Sequence, residues 1–191
     1  MNDAEPISKP KKARLYKRYP VSSILIYNGS TILHFLLGGI GIMVGYYFSS
    51  WAGYVFGSLY LVFSSVEMYV LMPLVVCPSC VYYRMEGSLC ISGLNLVAKK
   101  IARERDPIEF PKRAEGIFCA NNLYLASLII PIVAMIPALM VNYSFLLLMI
   151  FLAVVGLLLF RFFVIFPKIA CLHCSAKYKC PQAEAMGVRD L

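Results

Sequence analysis

Residues 119–167 read CANNLYLASLIIPIVAMIPALMVNYSFLLLMIFLAVVGLLLFRFFVIFP, and a single charged side chain, Arg161, falls within that run. A helix crosses the hydrocarbon core with about 20 apolar residues at 1.5 Å rise each, so the run holds two crossings. The turn-prone patch Val141-Asn142-Tyr143-Ser144 marks the break between them. Val21 to Val76 is built the same way and breaks at Ser49-Ser50-Trp51-Ala52-Gly53. Both stretches are continuously apolar and lack the period-two alternation of barrel strands, which selects helices.

Working outward, the whole chain has 191 residues, of which 60% are hydrophobic and only 15% charged, too apolar for an ordinary soluble domain. The expectation is an all-α membrane protein with four transmembrane helices in two tandem hairpins and a cytoplasmic Cys-rich loop and tail. Its segments are a basic arm (1–20), hairpin one (21–76), a central loop (77–118), hairpin two (119–168) and a tail (169–191). The first span is too long for a signal-peptide core and reads as an uncleaved signal anchor.

Of the 18 Lys and Arg residues, all but Arg161 lie outside the spans, in the arm, the central loop or the tail, and the two hairpin turns carry none. The positive-inside rule then places both termini and the central loop in the cytoplasm of an inner or plasma membrane. The net charge of +8 is mostly this topology signal. Lys9-Pro10-Lys11-Lys12-Ala13-Arg14 accordingly reads as a tail facing anionic lipid headgroups, not as a nucleic-acid contact. The arm is expected to stay disordered until Tyr16 or Tyr19 reaches the interface.

The seven cysteines fall in or beside the segments assigned to the reducing cytosol, which favours metal binding over disulfides. Six form two similar triplets, Cys77, Cys80 and Cys90, then Cys171, Cys174 and Cys180. In Cys-x2-Cys a tight turn aims two sulfurs and nearby N–H groups at one ion, and a third cysteine a short loop away adds a ligand. An iron-sulfur cluster and zinc both suit such a donor set, and spacing does not separate them. Each triplet lacks a fourth ligand. His173 or Cys119 are candidates for it; a joint site of Cys77, Cys80, Cys171 and Cys174, or a non-cysteine ligand, are alternatives. Membrane oxidoreductases that make disulfides also use Cys-x-x-Cys, but their chemistry faces the oxidising side.

A shift of 94 residues superposes Asn28 on Asn122, Pro73 on Pro167, Cys77 on Cys171 and Cys80 on Cys174, and the third cysteines follow if about four residues are deleted. Two spans per copy give both copies one orientation, hence a pseudo-twofold along the membrane normal. The same shift places Glu67 on Arg161, the two acidic or basic side chains inside the spans. Each precedes its first cysteine by ten residues, about 15 Å along a helix. A lone charge at that depth costs about 2.5–3.5 kcal/mol on insertion scales, so an ion pair between helices two and four is expected. Proton relay, substrate contact and contact with a partner subunit are the alternatives.

Ile91 to Arg105 reads as an amphipathic helix, with Ile91, Leu94, Val97, Ala98 and Ile101 on one side and Lys99, Lys100 and Arg103 on the other. It would lie on the membrane surface or on the protein's own cytoplasmic cap. Gly41 and Gly45 form a Gly-x3-Gly that permits close helix contact, within the bundle or against another chain. His34 lacks a second intraspan histidine and reads as a core side chain, not a haem ligand. Tyr82-Tyr83-Arg84 reads first as an interfacial aromatic anchor, with tuning of a cluster or contact with a partner as the alternatives. Nucleotide-binding and hydrolase motifs are absent.

Together these features lead to an expected metal- or iron-sulfur-binding membrane protein, a redox or accessory subunit more than a stand-alone enzyme. It would contact lipids, partner subunits in the membrane and a soluble redox partner. A zinc-stabilised scaffold and a soft-metal transporter are the competing readings.

Overall fold

The computed structural model describes residues 13–47, 51–106, 120–180, 183–184 and 186–189, and these contain helices and turns but no strand. Helix α1 runs Val21–Gly45 and begins directly after Pro20, a residue that needs no N–H partner at a helix start. Helix α2 (Ala52–Val66) continues as a wider π-helical segment, Glu67–Val76, into the short turn Cys77–Ser79. Two short helices follow, α3 (Val81–Arg84) and α4 (Leu94–Ile101). Helix α5 (Ala120–Val141) leads to α6 (Phe145–Phe160), which continues as a second π-helical segment, Arg161–Ala170.

Among the described residues, four helical stretches are long and apolar enough to cross a membrane: Val21–Gly45, Ala52–Ser79, Asn122–Val141 and Phe145–Ala170. Their outer faces expose side chains such as Leu36, Leu59, Val62, Val133 and Leu152. Water would not tolerate that much contiguous apolar surface, whereas lipid tails match it. The chain is a multi-pass membrane protein.

Helix α1 packs against α2, α5 and α6, and α5 packs against α1, α2 and α6; the segment Glu67–Val76 touches α5, and Arg161–Ala170 touches α1. Exchanging α1 with α5 and α2 with α6 leaves this set of contacts unchanged. Glycine makes the central approach possible. A Cβ at Gly45 would lie 2.8 Å or less from a neighbour, 2.7 Å from the Ala138 Cβ of α5, and one at Gly38 would lie 2.8 Å from Pro131. Gly57 of α2 sits so close to α1 that its Cβ would meet the Gly39 carbonyl oxygen at 2.8 Å. The Gly41–Gly45 pair therefore serves packing inside this bundle.

The two π-helical segments occupy matching positions and each contains a proline, Pro73 or Pro167. A proline inside a helix donates no hydrogen bond and clashes with the carbonyl four residues earlier; a wider turn relieves both problems. Each segment ends with an i→i−5 bond donated by a cysteine: Cys77 N–H to Met72 O, and Cys171 N–H to Phe166 O at 2.7 Å. Thus the turn that accommodates the proline also sets the first cysteine of each motif.

The loop helix is shorter than Ile91–Arg105. Gly93 at φ 73° admits α4 only from Leu94, and Ala102 is already extended. Leu94, Asn95 and Ala98 are its buried face, laid on Glu67–Val76, so α4 packs on the protein's own cap while Val97 and Ile101 stay exposed. Residues 13–20 of the arm are held against the cysteine-bearing end of the bundle.

Gly45→Leu is expected to lower stability by about 1–3 kcal/mol through overpacking against Ala138 and Leu147. Thermal unfolding in detergent measures it; an unchanged Tm would contradict the close α1–α5 approach.

Candidate thiol site at one end of the bundle

Both cysteine motifs leave their helices through the same backbone turn. Cys80 N–H donates to Cys77 O at 3.0 Å and Tyr83 N–H to Cys80 O at 2.9 Å. In the second motif Cys174 N–H donates to Cys171 O and Lys177 N–H to Cys174 O, both at 3.2 Å. The third cysteines open matching turns too, with Gly93 N–H on Cys90 O at 3.0 Å and Ala183 N–H on Cys180 O at 3.1 Å. The repeat in the sequence is thus a repeat in local backbone geometry.

All six of these cysteines are free and half-buried. Burial pushes the Cys80 thiol up to about 12; the Tyr82 N–H opposes this, and Cys174, Cys90 and Cys180 add to it. Cys171 is pushed up to about 12 by burial, then by Cys180 and Cys174. Cys174 reaches about 11, again chiefly by burial, with Cys180 and Cys90 contributing. Two consequences follow from these interactions. Cys80 and Cys174 each sense a neighbour in their own triplet, and each also senses the other triplet, Cys80 through Cys174 and Cys180, and Cys174 through Cys90. Among the described residues, however, no three His, Cys, Asp or Glu side chains are grouped tightly enough to hold a metal ion.

The arm joins the two motifs. Tyr16 N–H donates to His173 O at 2.9 Å on one edge, while on the other Leu89 N–H donates to Lys17 O at 3.1 Å and Tyr19 N–H to Leu89 O at 3.0 Å. Tyr82, almost fully buried, donates its hydroxyl to Tyr16 O at 2.6 Å and accepts the Ser175 N–H at 3.2 Å. The Tyr19 hydroxyl donates to Ala170 O. Tyr82 is therefore an internal tie between the motifs, not an interfacial anchor.

Asn95 organises the first loop: its Oδ1 accepts the Cys90 N–H at 3.1 Å, and its Nδ2 donates to Ser88 O at 3.1 Å. Its signal in the sequence is a polar residue beside Leu94 on the inward stripe of α4. In the second loop Lys177 is fully buried and donates to Leu172 O at 3.3 Å, with its ammonium over the Tyr178 ring. Arg84, by contrast, is turned to the surface in an ion pair with Glu104 at 2.6 Å. His173 stacks on Tyr16 with ring centroids 4.5 Å apart, and its Nδ1 lies 2.8 Å from Arg14 O. A carbonyl only accepts, so Nδ1 carries a proton and the neutral ring keeps its lone pair on Nε2. Cys119, the other fourth-ligand candidate, lies outside the described residues, as do Lys9 to Lys12, Ser49 and Ser50.

The expected Glu67–Arg161 ion pair is not made. Both side chains are buried, but Arg161 donates to the Tyr124 hydroxyl, to Tyr27 O at 3.1 Å and to the hydroxyls of Ser30 and Thr31. Its guanidinium also lies 5.0 Å from the Tyr27 ring centroid. Neither carboxyl oxygen of Glu67 has a hydrogen-bond partner. Offset by 94 residues, the two residues occupy like positions on different helices, and helices α1 and α5 supply what Arg161 needs. His34 is a core side chain whose Nε2 lies 3.0 Å from Leu128 O.

Comparison with known proteins finds no match to a family model, a curated protein or a solved structure.

In the metal-free protein, alkylation of Cys80 and Cys174 by iodoacetamide should be slow at pH 8 and rise roughly tenfold per pH unit toward 11, because only thiolate reacts. The folded state holds these protons more tightly than the unfolded chain. Stability is therefore intact below about pH 8.5 and falls as pH rises toward 11 to 12. A rate that levels off near pH 9 would contradict this.

Proposed function

We propose that this chain is a membrane protein that binds iron-sulfur clusters or zinc through its two cysteine triplets and serves as a redox or accessory subunit of a membrane complex. The observation that carries the reading is the pair of matching Cys-x2-Cys turns, each set by a proline-widened helix end. Nothing in a lipid-embedded bundle requires two such turns for packing alone, and free cysteines scattered as small hydrophobes would not repeat them.

Thiolate sulfur is the donor type a soft metal takes, and the described side chains would have to draw closer together to hold one. Cys77, Cys80 and Cys90 would supply three sulfurs to one group, and Cys171, Cys174 and Cys180 three to another. His173 Nε2 is the available nitrogen beside the second triplet. Buried neutral thiols become thiolates when a cation stands among them, so metal binding would release their protons. A bound cluster would supply one-electron chemistry. The chain's part is to hold the thiolates at the membrane surface, with the Lys177 ammonium beside the second loop favouring negative charge there.

The placement of Lys and Arg supports a cytoplasmic location for this end, and the exchangeable helix contacts support a pseudo-twofold along the membrane normal. One observation favours a second reading, a zinc-locked scaffold: the arm, loop and tail are laced together through Tyr16, Tyr19 and Tyr82. In that case the metal would stabilise the cap without electron transfer.

Anaerobic purification followed by metal and sulfide analysis and EPR separates the two. The redox reading predicts iron with acid-labile sulfide, reduced or lost in Cys77→Ser and Cys171→Ser. Colourless protein with stoichiometric zinc would replace it with the scaffold, and metal-free protein would overturn both.

A further inference from the structure

Glu67 is the one acidic side chain placed inside the described spans, fully buried, and both its carboxyl oxygens lack a donor. It opens the π-helical segment Glu67–Val76, a distortion that frequently marks functional sites in helices. The cation at the matching position, Arg161, is committed elsewhere, to Tyr124, Tyr27, Ser30 and Thr31. The bundle thus builds a cradle for a guanidinium and none for a carboxylate. An ionised carboxylate without donors in hydrocarbon is costly, and a protonated one removes the charge altogether.

We infer that Glu67 is a proton-binding site within the membrane, carrying its proton in the structure described. The groups packed around its segment are consistent with this. From α5, which packs on this segment, the Tyr124 hydroxyl already accepts from Arg161. From α4, the buried face is Leu94, Asn95 and Ala98, and Lys99 is held by Met85 O at 2.9 Å. From α2 itself, the Ser64 hydroxyl is turned back to Tyr60 O at 2.7 Å. None of these donates to the carboxyl. Release of the proton therefore requires a rearrangement that brings a donor or a cation to Glu67, which couples proton binding to the packing of α2 against α5. This inference stands on the bundle interior and does not depend on the cysteine motifs.

Infrared difference spectroscopy of the full chain in phosphatidylcholine bilayers at pH 7 tests it. Wild type minus Glu67→Gln should show the C=O stretch of a protonated carboxyl, shifted downward in D2O and lost in the variant. A pair of carboxylate stretching bands in its place would overturn the inference. Should Glu67→Gln not fold, wild type grown with carbon-13 glutamate gives the same reading: a shifted protonated-carboxyl band supports the site, and its absence removes it.

Discussion

Backbone hydrogen bonding in hydrocarbon is the constraint on which this structure depends. With no water to satisfy N–H and C=O groups, each crossing must be a helix whose ladder closes on itself. Proline removes a rung from that ladder: Pro131 and Pro137 do so within an α-helix that stays regular, whereas Pro73 and Pro167, in the second and fourth crossings, lie in widened segments. A wider turn repairs the break, and the bond that closes it comes from the N–H of Cys77 or Cys171. A requirement of the bilayer is in this way converted into the placement of a thiol at each helix end.

The polar groups inside the bundle obey the same constraint in two ways. Arg161 is satisfied by hydroxyls, a carbonyl and aromatic faces, so the fourth span is tied to the first and third without an acid. Glu67 receives no such support, and neutrality is the state its surroundings allow. At the cysteine end the arm supplies the missing order. Its backbone bridges to Leu89 on one edge and His173 on the other, so the central loop and the tail are held together by a segment far from both in sequence.

Much of this was legible in the sequence because hydrophobic length and cysteine spacing are local signals. The four spans, the turn at 141–144 and the repeat offset of 94 all rest on them. The Ile91–Arg105 helix was overextended because periodicity does not register that Gly93 adopts φ 73°. The charge pair failed for a different reason: equal depth in two helices says nothing about which neighbour each side chain meets. A usable signal was present in Tyr27, Ser30 and Thr31, spaced i, i+3, i+4 on one face of α1, where they now surround Arg161. Tyr16 reaches His173 by a backbone bond and Tyr19 reaches Ala170 by its hydroxyl, each partner more than 150 positions away, and no sequence pattern announces either.

X-ray absorption at the metal edge of the anaerobically purified chain in lipid tests the central claim, that the proline-widened helix ends deliver cysteines as a donor set. The account predicts a first shell dominated by sulfur, which loses amplitude when Cys80 or Cys174 is replaced by serine. A shell of oxygen or nitrogen indifferent to both replacements would contradict it.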